Sequence, residues 1–83
     1  MCELLVASSA KRSIKKISKN HRKAIVSALQ EIKEDPFIGK PLTREPTGKF
    51  SYKVGVYRII YKVNTKDKTV FVLSAGHRST VYN

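Results

Sequence analysis

The chain has 83 residues, room for one domain and one core, and carries 17 Lys and Arg against 6 Asp and Glu, a net charge of +11. That balance biases it toward polyanions: nucleic acid, an acidic protein or an anionic membrane surface. The single cysteine, Cys2, excludes an internal disulfide and fits a reducing cytoplasm, while two distant histidines beside it exclude a zinc site.

No apolar run approaches the ~18–20 residues of a membrane span, and the opening MCELLVASSAK has an acid at Glu3 and too short an apolar run for a signal peptide. There is no GxGxxG, no Walker loop and no internal repeat. A protein that is soluble, cytoplasmic and free of metal and cofactor is expected. A chain this short buries little more than ~60% of its unfolded surface, so a partner that completes it is also expected.

In chain order, CELLVA is a short apolar strand-like run, followed by Ser8 and Ser9 as N-cap candidates. From Ser9 to about Ser18, Ala10, Ile14 and Ile17 recur at helical spacing, with Lys11, Arg12, Lys15, Lys16 and Lys19 on the other faces. Asn20 punctuates. A second helix is expected from His21 to Glu34, with Ile25, Val26, Leu29 and Ile32 in one stripe and Pro36 as its stop. DPFIGKPLTREPTGK carries all three prolines and reads as a connection without regular structure, pinned to the core by Phe37, Ile38 and Leu42. FSYKV, YRIIYKVN and TVFVLSAG are rich in β-branched and aromatic residues and read as strands, the last two separated by the turn NTKDK. The expected fold is α+β: a β-α-α-β-β-β two-layer sandwich, residues 1–83, with an N-terminal helical hairpin packed on a small, mostly antiparallel sheet.

The turn at Gly55-Val56 sets a register. Glycine suits the first central position of a two-residue type II′ hairpin loop. Val54 then faces Tyr57, Lys53 faces Arg58, and the pairing runs on to Phe50 and Tyr61. Alternation gives one face to Phe50, Tyr52, Val54, Tyr57, Ile59 and Tyr61, fit to pack on helices. The other carries Ser51, Lys53, Arg58, Ile60 and Lys62. Like charges directly opposed across strands are destabilising. Either Lys53 and Arg58 splay into water, or an anion shared between them offsets the repulsion; phosphate suits, gripped by two arginine hydrogen bonds beside a lysine point charge. The last strand ends in SAGHRSTVYN, which sets His77, Arg78 and Tyr82 near the same region, for titration, charge stabilisation and stacking on a base. A bulge at Gly76 would leave the face of Arg78 open.

The element order, the connection DPFIGKPL, the hairpin YKVGVYRIIYKV and the ending VFVLSAGHRSTVY together resemble the RelE/ParE superfamily of toxin–antitoxin toxins, over nearly the whole chain. The RelE branch consists of ribosome-dependent mRNA endonucleases that cut A-site messenger without a metal, by 2′-hydroxyl attack on the adjacent phosphate. The ParE branch poisons DNA gyrase and lacks the nuclease residues. Carried over by position, the resemblance assigns catalytic roles to Lys53, Arg58, Arg78 and Tyr82. A second lysine of the RelE pattern, two residues after the first, is Gly55 here, so Lys53 and His77 compete for the role of general base.

Arg58 and Arg78 would hold the scissile phosphate, and Tyr82 would stack on a base. Lys11, Lys15 and Lys19, with Lys62, would dock on RNA backbone of the ribosome, including 16S rRNA at the A site. The implied partners are a RelB-like antitoxin in a hetero-oligomer, the ribosome and mRNA. A gyrase inhibitor of the ParE kind is one alternative, which loss of Arg78 or Tyr82 would have favoured, and both are present; an RNA-binding homologue without activity is another, which Gly55 keeps open.

Overall fold

The computed structural model describes residues 3–41 and 49–77. Cys2, Leu42, Arg78 and Tyr82 lie outside the described residues, and their expected roles are not placed by the fold. Seven elements follow in order: β1 (Glu3–Val6), α1 (Ser8–Lys16), α2 (Lys19–Glu34), β2 (Lys40–Pro41), β3 (Lys49–Val54), β4 (Tyr57–Asn64) and β5 (Thr69–His77). The strands form one sheet in the order β1-β5-β4-β3-β2, antiparallel except for the parallel β1–β5 pair. The two-layer α+β architecture is the expected one, with a short extra strand. Residues Lys40 and Pro41, expected in an irregular connection, pair with Ser51 and Phe50 and extend the sheet edge.

The helical hairpin bends earlier than Asn20. Helix α1 ends at Lys16, Ile17 and Ser18 turn extended, and Asn20 already lies inside α2. The Arg22 guanidinium explains the stop: Nη2 donates to the carbonyls of Lys15 and Ile17, each at 3.2 Å. A cation there satisfies carbonyls left open at a helix end and complements the helix dipole. Ser8 and Ser9 are helical rather than capping; Ala7 is the N-cap, with no side-chain hydrogen bond. The row Lys11, Lys15, Lys19 is exposed but does not run along one helix, because Lys19 opens α2.

The core lies between the helices and one sheet face. Ile25, Ala28, Leu29 and Ile32 of α2 are buried with Ala10 and Ile17 against Ile59, Tyr61, Val63, Val70, Val72 and Ala75. Val26, expected in the α2 stripe, is 56% exposed; Ala28 takes the inward position instead. Burying a side chain such as Ile25 or Ile32 is worth about 1.5–3 kcal/mol.

Tyr61 ties the connection after α2 to this core. Its ring is fully buried and stacks on Phe50, with centroids 5.5 Å apart. Its hydroxyl donates to the Pro36 carbonyl (2.9 Å) and accepts from the Gly39 N–H (3.0 Å). A Cβ at Gly39 would meet the Tyr61 hydroxyl at 2.6 Å and the Ser51 carbonyl oxygen at 2.9 Å, so only glycine fits there. Phe37 and Ile38 do less than expected: both are exposed, and Phe37 only meets the edge of Phe50.

Burial pushes the Tyr61 phenol above its ordinary value of 10.0; the Gly39 N–H partly opposes this, and Asp35 adds to the rise. A raised tyrosine pKa means that the unfolded chain ionises first, so this stabilisation is whole below pH 10 and lost as pH rises through the folded value. Tyr61→Phe leaves two backbone groups without their partner and is expected to cost about 1–3 kcal/mol. Denaturant melts at pH 7 check that cost. Melts repeated above pH 10 should show a steeper alkaline loss in the wild type than in the variant.

Candidate functional site

The β3–β4 hairpin has the register that the sequence implies, residue for residue from Val54–Tyr57 to Phe50–Tyr61. Gly55 sits at φ +61°, and Val56 is not left-handed, as a type II′ loop requires. Counting from the hydrogen-bonded pair that closes such a loop, Lys53–Arg58 is a non-hydrogen-bonded pair, the kind in which opposed side chains come closest. Cβ atoms at such positions are ~4.5–5.5 Å apart. Neither β3 nor β4 contains an acid.

The face away from the helices forms a grid. Lys53 and Arg58 make one row, followed across β5 by Gly76. The next row holds Lys40, Ser51, Ile60 and Ser74, and the one beyond it Lys49, Lys62, Phe71 and Leu5. Gly76 is therefore in the ladder and is not a bulge; the irregularity falls at Leu73, between the Ile60–Ser74 and Tyr61–Val72 pairs. Gly76 adds no side chain of its own beside Arg58 in that row. On the β2 side, a cleft of about 470 Å³ is lined by Ile38, Gly39, Lys40, Ser51, Lys53 and Arg58 among others. Its wall is the segment that Tyr61 holds.

The histidine takes the opposite face. His77 pairs with Tyr57, whose side chain lies on the helix side, and their rings meet edge-on at 6.0 Å. His21 of α2 approaches Tyr57 from the other side at 5.2 Å, with its Nδ1 2.7 Å from the Ser18 hydroxyl. The structure thus brings Lys53 and Arg58 together and sets His77 across the sheet from them. Lys62 shares the Lys53 face, two pairs along, whereas Lys11, Lys15 and Lys19 belong to the helical layer. Tyr52, at the cleft margin, donates to Glu31 Oε2 at 2.8 Å; that hydrogen bond raises its phenol pKa, with burial and the carboxylate charge adding to the rise.

Two cations on this face escaped the sequence reading. Lys49 was legible, since Lys49, Ser51 and Lys53 alternate. Lys40 was not, because nothing in Lys40–Pro41 marks a strand.

Among the described residues no group of three His, Cys, Asp or Glu is arranged to hold a metal, and no helix is long and apolar enough to cross a membrane. What this site can do chemically is hold and neutralise a phosphate. If Lys53 and Arg58 repel across the ladder, Lys53→Met should raise the melting temperature slightly at low ionic strength, by the few tenths of a kcal/mol of an opposed like-charge pair. Added inorganic phosphate should then stabilise the wild type more than the variant, by calorimetry at matched ionic strength.

Comparison with known proteins agrees with this geometry. The profile described as "ParE toxin of type II toxin-antitoxin system, parDE" matches residues 4–82. The chain is 34% identical over 76 residues to Toxin RelG of Mycobacterium tuberculosis, covering 89% of this chain and 87% of that protein. Among solved structures it is similar to the toxin–antitoxin complex RelBE2 of M. tuberculosis, with a TM-score of 0.82 and 30% identity over 93% of this chain and 98% of that one. It also resembles the isolated E. coli RelE toxin, with a TM-score of 0.81 and 28% identity over 99% and 92% of the two chains.

Proposed function

We propose that this chain, which belongs to the RelE/ParE superfamily and is a toxin of a type II toxin–antitoxin system, acts as a ribosome-dependent mRNA endonuclease. The observation that carries the reading is the Lys53–Arg58 pair, two basic residues opposed on the sheet face away from the helices, beside a cleft. A gyrase poison of the ParE kind, the alternative, needs no such pair. The name of the matching profile keeps that second reading in view.

In this mechanism the ribose 2′-hydroxyl attacks the adjacent phosphorus, the P–O5′ bond breaks and the departing 5′-oxygen takes up a proton from water, leaving a 2′,3′-cyclic phosphate and a free 5′-hydroxyl. Arg58 grips the phosphate oxygens and stabilises the charge that develops in the transition state. Lys53, on the same face, is the better placed of the two base candidates, and takes the 2′-hydroxyl proton only as the neutral amine; His77 would have to reach around the sheet. Gly55 supplies the loop conformation at the position where the RelE pattern has a second lysine, which leaves Lys53 and His77 as the base candidates. Arg78 as second phosphate ligand and Tyr82 as base-stacking residue rest on the resemblance. So do the ribosome contacts of Lys11, Lys15, Lys19 and Lys62.

The partners in this reading are the ribosome, mRNA and a RelB-like antitoxin. Similar toxins have been solved in complex with such antitoxins, RelBE2 of M. tuberculosis and RelBE of E. coli among them. An acidic, partly apolar antitoxin would suit a chain of net charge +11 that leaves Leu5, Phe37 and Phe71 exposed.

The test adds the purified protein to ribosomes programmed with a defined mRNA and reads the cut site and its 3′ chemistry. Cleavage in the A-site codon that leaves a cyclic phosphate supports the reading. Intact messenger, together with inhibited gyrase supercoiling, would replace it with the ParE one. Lys53→Ala is expected to lower cleavage by at least the ~10²-fold typical of a lost general base. Arg78→Ala should abolish toxicity on overexpression with fold and antitoxin binding intact, as read by circular dichroism and co-purification.

A further inference from the structure

The row Lys49, Lys62, Phe71 and Leu5 takes no part in the cleavage step, although Lys62 is also among the residues proposed to meet the ribosome and Leu5 and Phe71 among those open to an antitoxin. Lys49 and Lys62 are directly opposed, both exposed, and on the same face as Lys53 and Arg58. Counted from the loop they too form a non-hydrogen-bonded pair, so this face carries the same unfavourable arrangement twice. Next to Lys62 across the ladder stands Phe71, an aromatic side chain 42% exposed where a sheet surface ordinarily presents polar residues. Cations that track a nucleic-acid backbone, interleaved with an aromatic ring on which a base stacks, are what single-strand binding surfaces combine.

We propose that Lys49, Lys62 and Phe71 form a second nucleotide subsite: the two lysines share a backbone phosphate, and the Phe71 ring takes the base attached to it. Four residues separate Lys49 from Lys53 on β3, and Arg58 from Lys62 on β4. At ~3.4 Å per residue the two cation pairs are thus about 13–14 Å apart along the strands. A stacked strand advances ~3.4 Å per nucleotide and a stretched one more, so the subsite lies at most four nucleotides from the phosphate held by Lys53 and Arg58. RNA would run along β3 and β4 from one cation pair to the other, passing over Ser51 and Ile60, which are buried and add little exposed surface of their own. The subsite rests on the reading of this face as an RNA track, and it adds affinity and register without touching the reacting atoms.

The test uses 2′-O-methyl oligouridylates, which lack the attacking hydroxyl and stay intact, as a dinucleotide and a hexanucleotide. Affinities are measured by anisotropy over a range of salt. The hexamer is expected to bind the wild type more tightly than the dimer. Phe71→Leu should weaken the hexamer about tenfold and leave the dimer unchanged, and the difference should vanish for an abasic hexamer. Lys49→Ala with Lys62→Ala should flatten the hexamer's salt dependence by about 0.7 in log–log slope, one phosphate's worth. The charge-matched control Lys33→Ala with Lys66→Ala should change it less.

Equal losses in the control, or losses on dimer and hexamer alike, would reduce the lysines to unspecific charge and overturn the subsite. Hexamer affinity unaltered by Phe71→Leu would overturn it too. None of these readouts needs ribosomes or cleavage, so the subsite and the nuclease reading can fail separately.

Discussion

Two hydrogen bonds to one buried phenol hold together the parts of this protein that matter most. The Tyr61 hydroxyl bridges the Pro36 carbonyl and the Gly39 N–H, and its ring belongs to the central strand of the core. The chain leaving α2 is thereby pressed onto the sheet closely enough to exclude any side chain at Gly39. From there Lys40 and Pro41 pair with β3 and wall the cleft beside Lys53 and Arg58. A buried tyrosine is costly unless its hydroxyl is satisfied, and here satisfying it shapes the site. Core and cleft are one construction.

The sheet divides two physical demands between its faces. Toward the helices it is apolar, with Ile59, Tyr61, Val63, Val70 and Val72 packed against α2. Away from them it gathers cations in opposed pairs with no acid on β3 or β4 to relieve them. A fold tuned only for stability would alternate the charges or intersperse acids. In the proposed reading, the RNA backbone supplies negative charge to this face.

Membership of the superfamily and the geometry speak to different questions. Likeness at TM-scores near 0.8 with about 30% identity shows the fold and the kind of toxin. The chemistry depends on particular side chains, which a shared fold does not guarantee. Gly55 is the instructive position. Its left-handed φ is what the tight loop needs, so the residue that closes the hairpin displaces the lysine of the RelE pattern. In the proposed mechanism that position offers no side chain for proton transfer, and the role is assigned to Lys53.

Much of this was legible in the amino acids alone, wherever the signal was local. A glycine at a two-residue loop dictates hairpin register, and register with strand alternation dictates which side chains share a face; the Lys53–Arg58 pair follows without any tertiary information. Helix periodicity placed Ile25, Leu29 and Ile32 inward.

What needed the tertiary structure was set by contacts between distant segments. Arg22 ends α1 by reaching back to Lys15 and Ile17, so the helical hairpin turns before Asn20. Val26 lost its inward place to Ala28, which is buried in the core while Val26 faces out. The extra residue at Leu73 shifts the β5 register, which settles that Gly76 stands beside Arg58 and His77 beside Tyr57. Lys40 joins the basic face only because Tyr61, some twenty residues later, holds the chain there. Periodicity and turn chemistry are properties of neighbouring residues and can be read in order along the chain. Bulges, caps from afar and edge pairing belong to pairs of segments, and only the folded packing decides them.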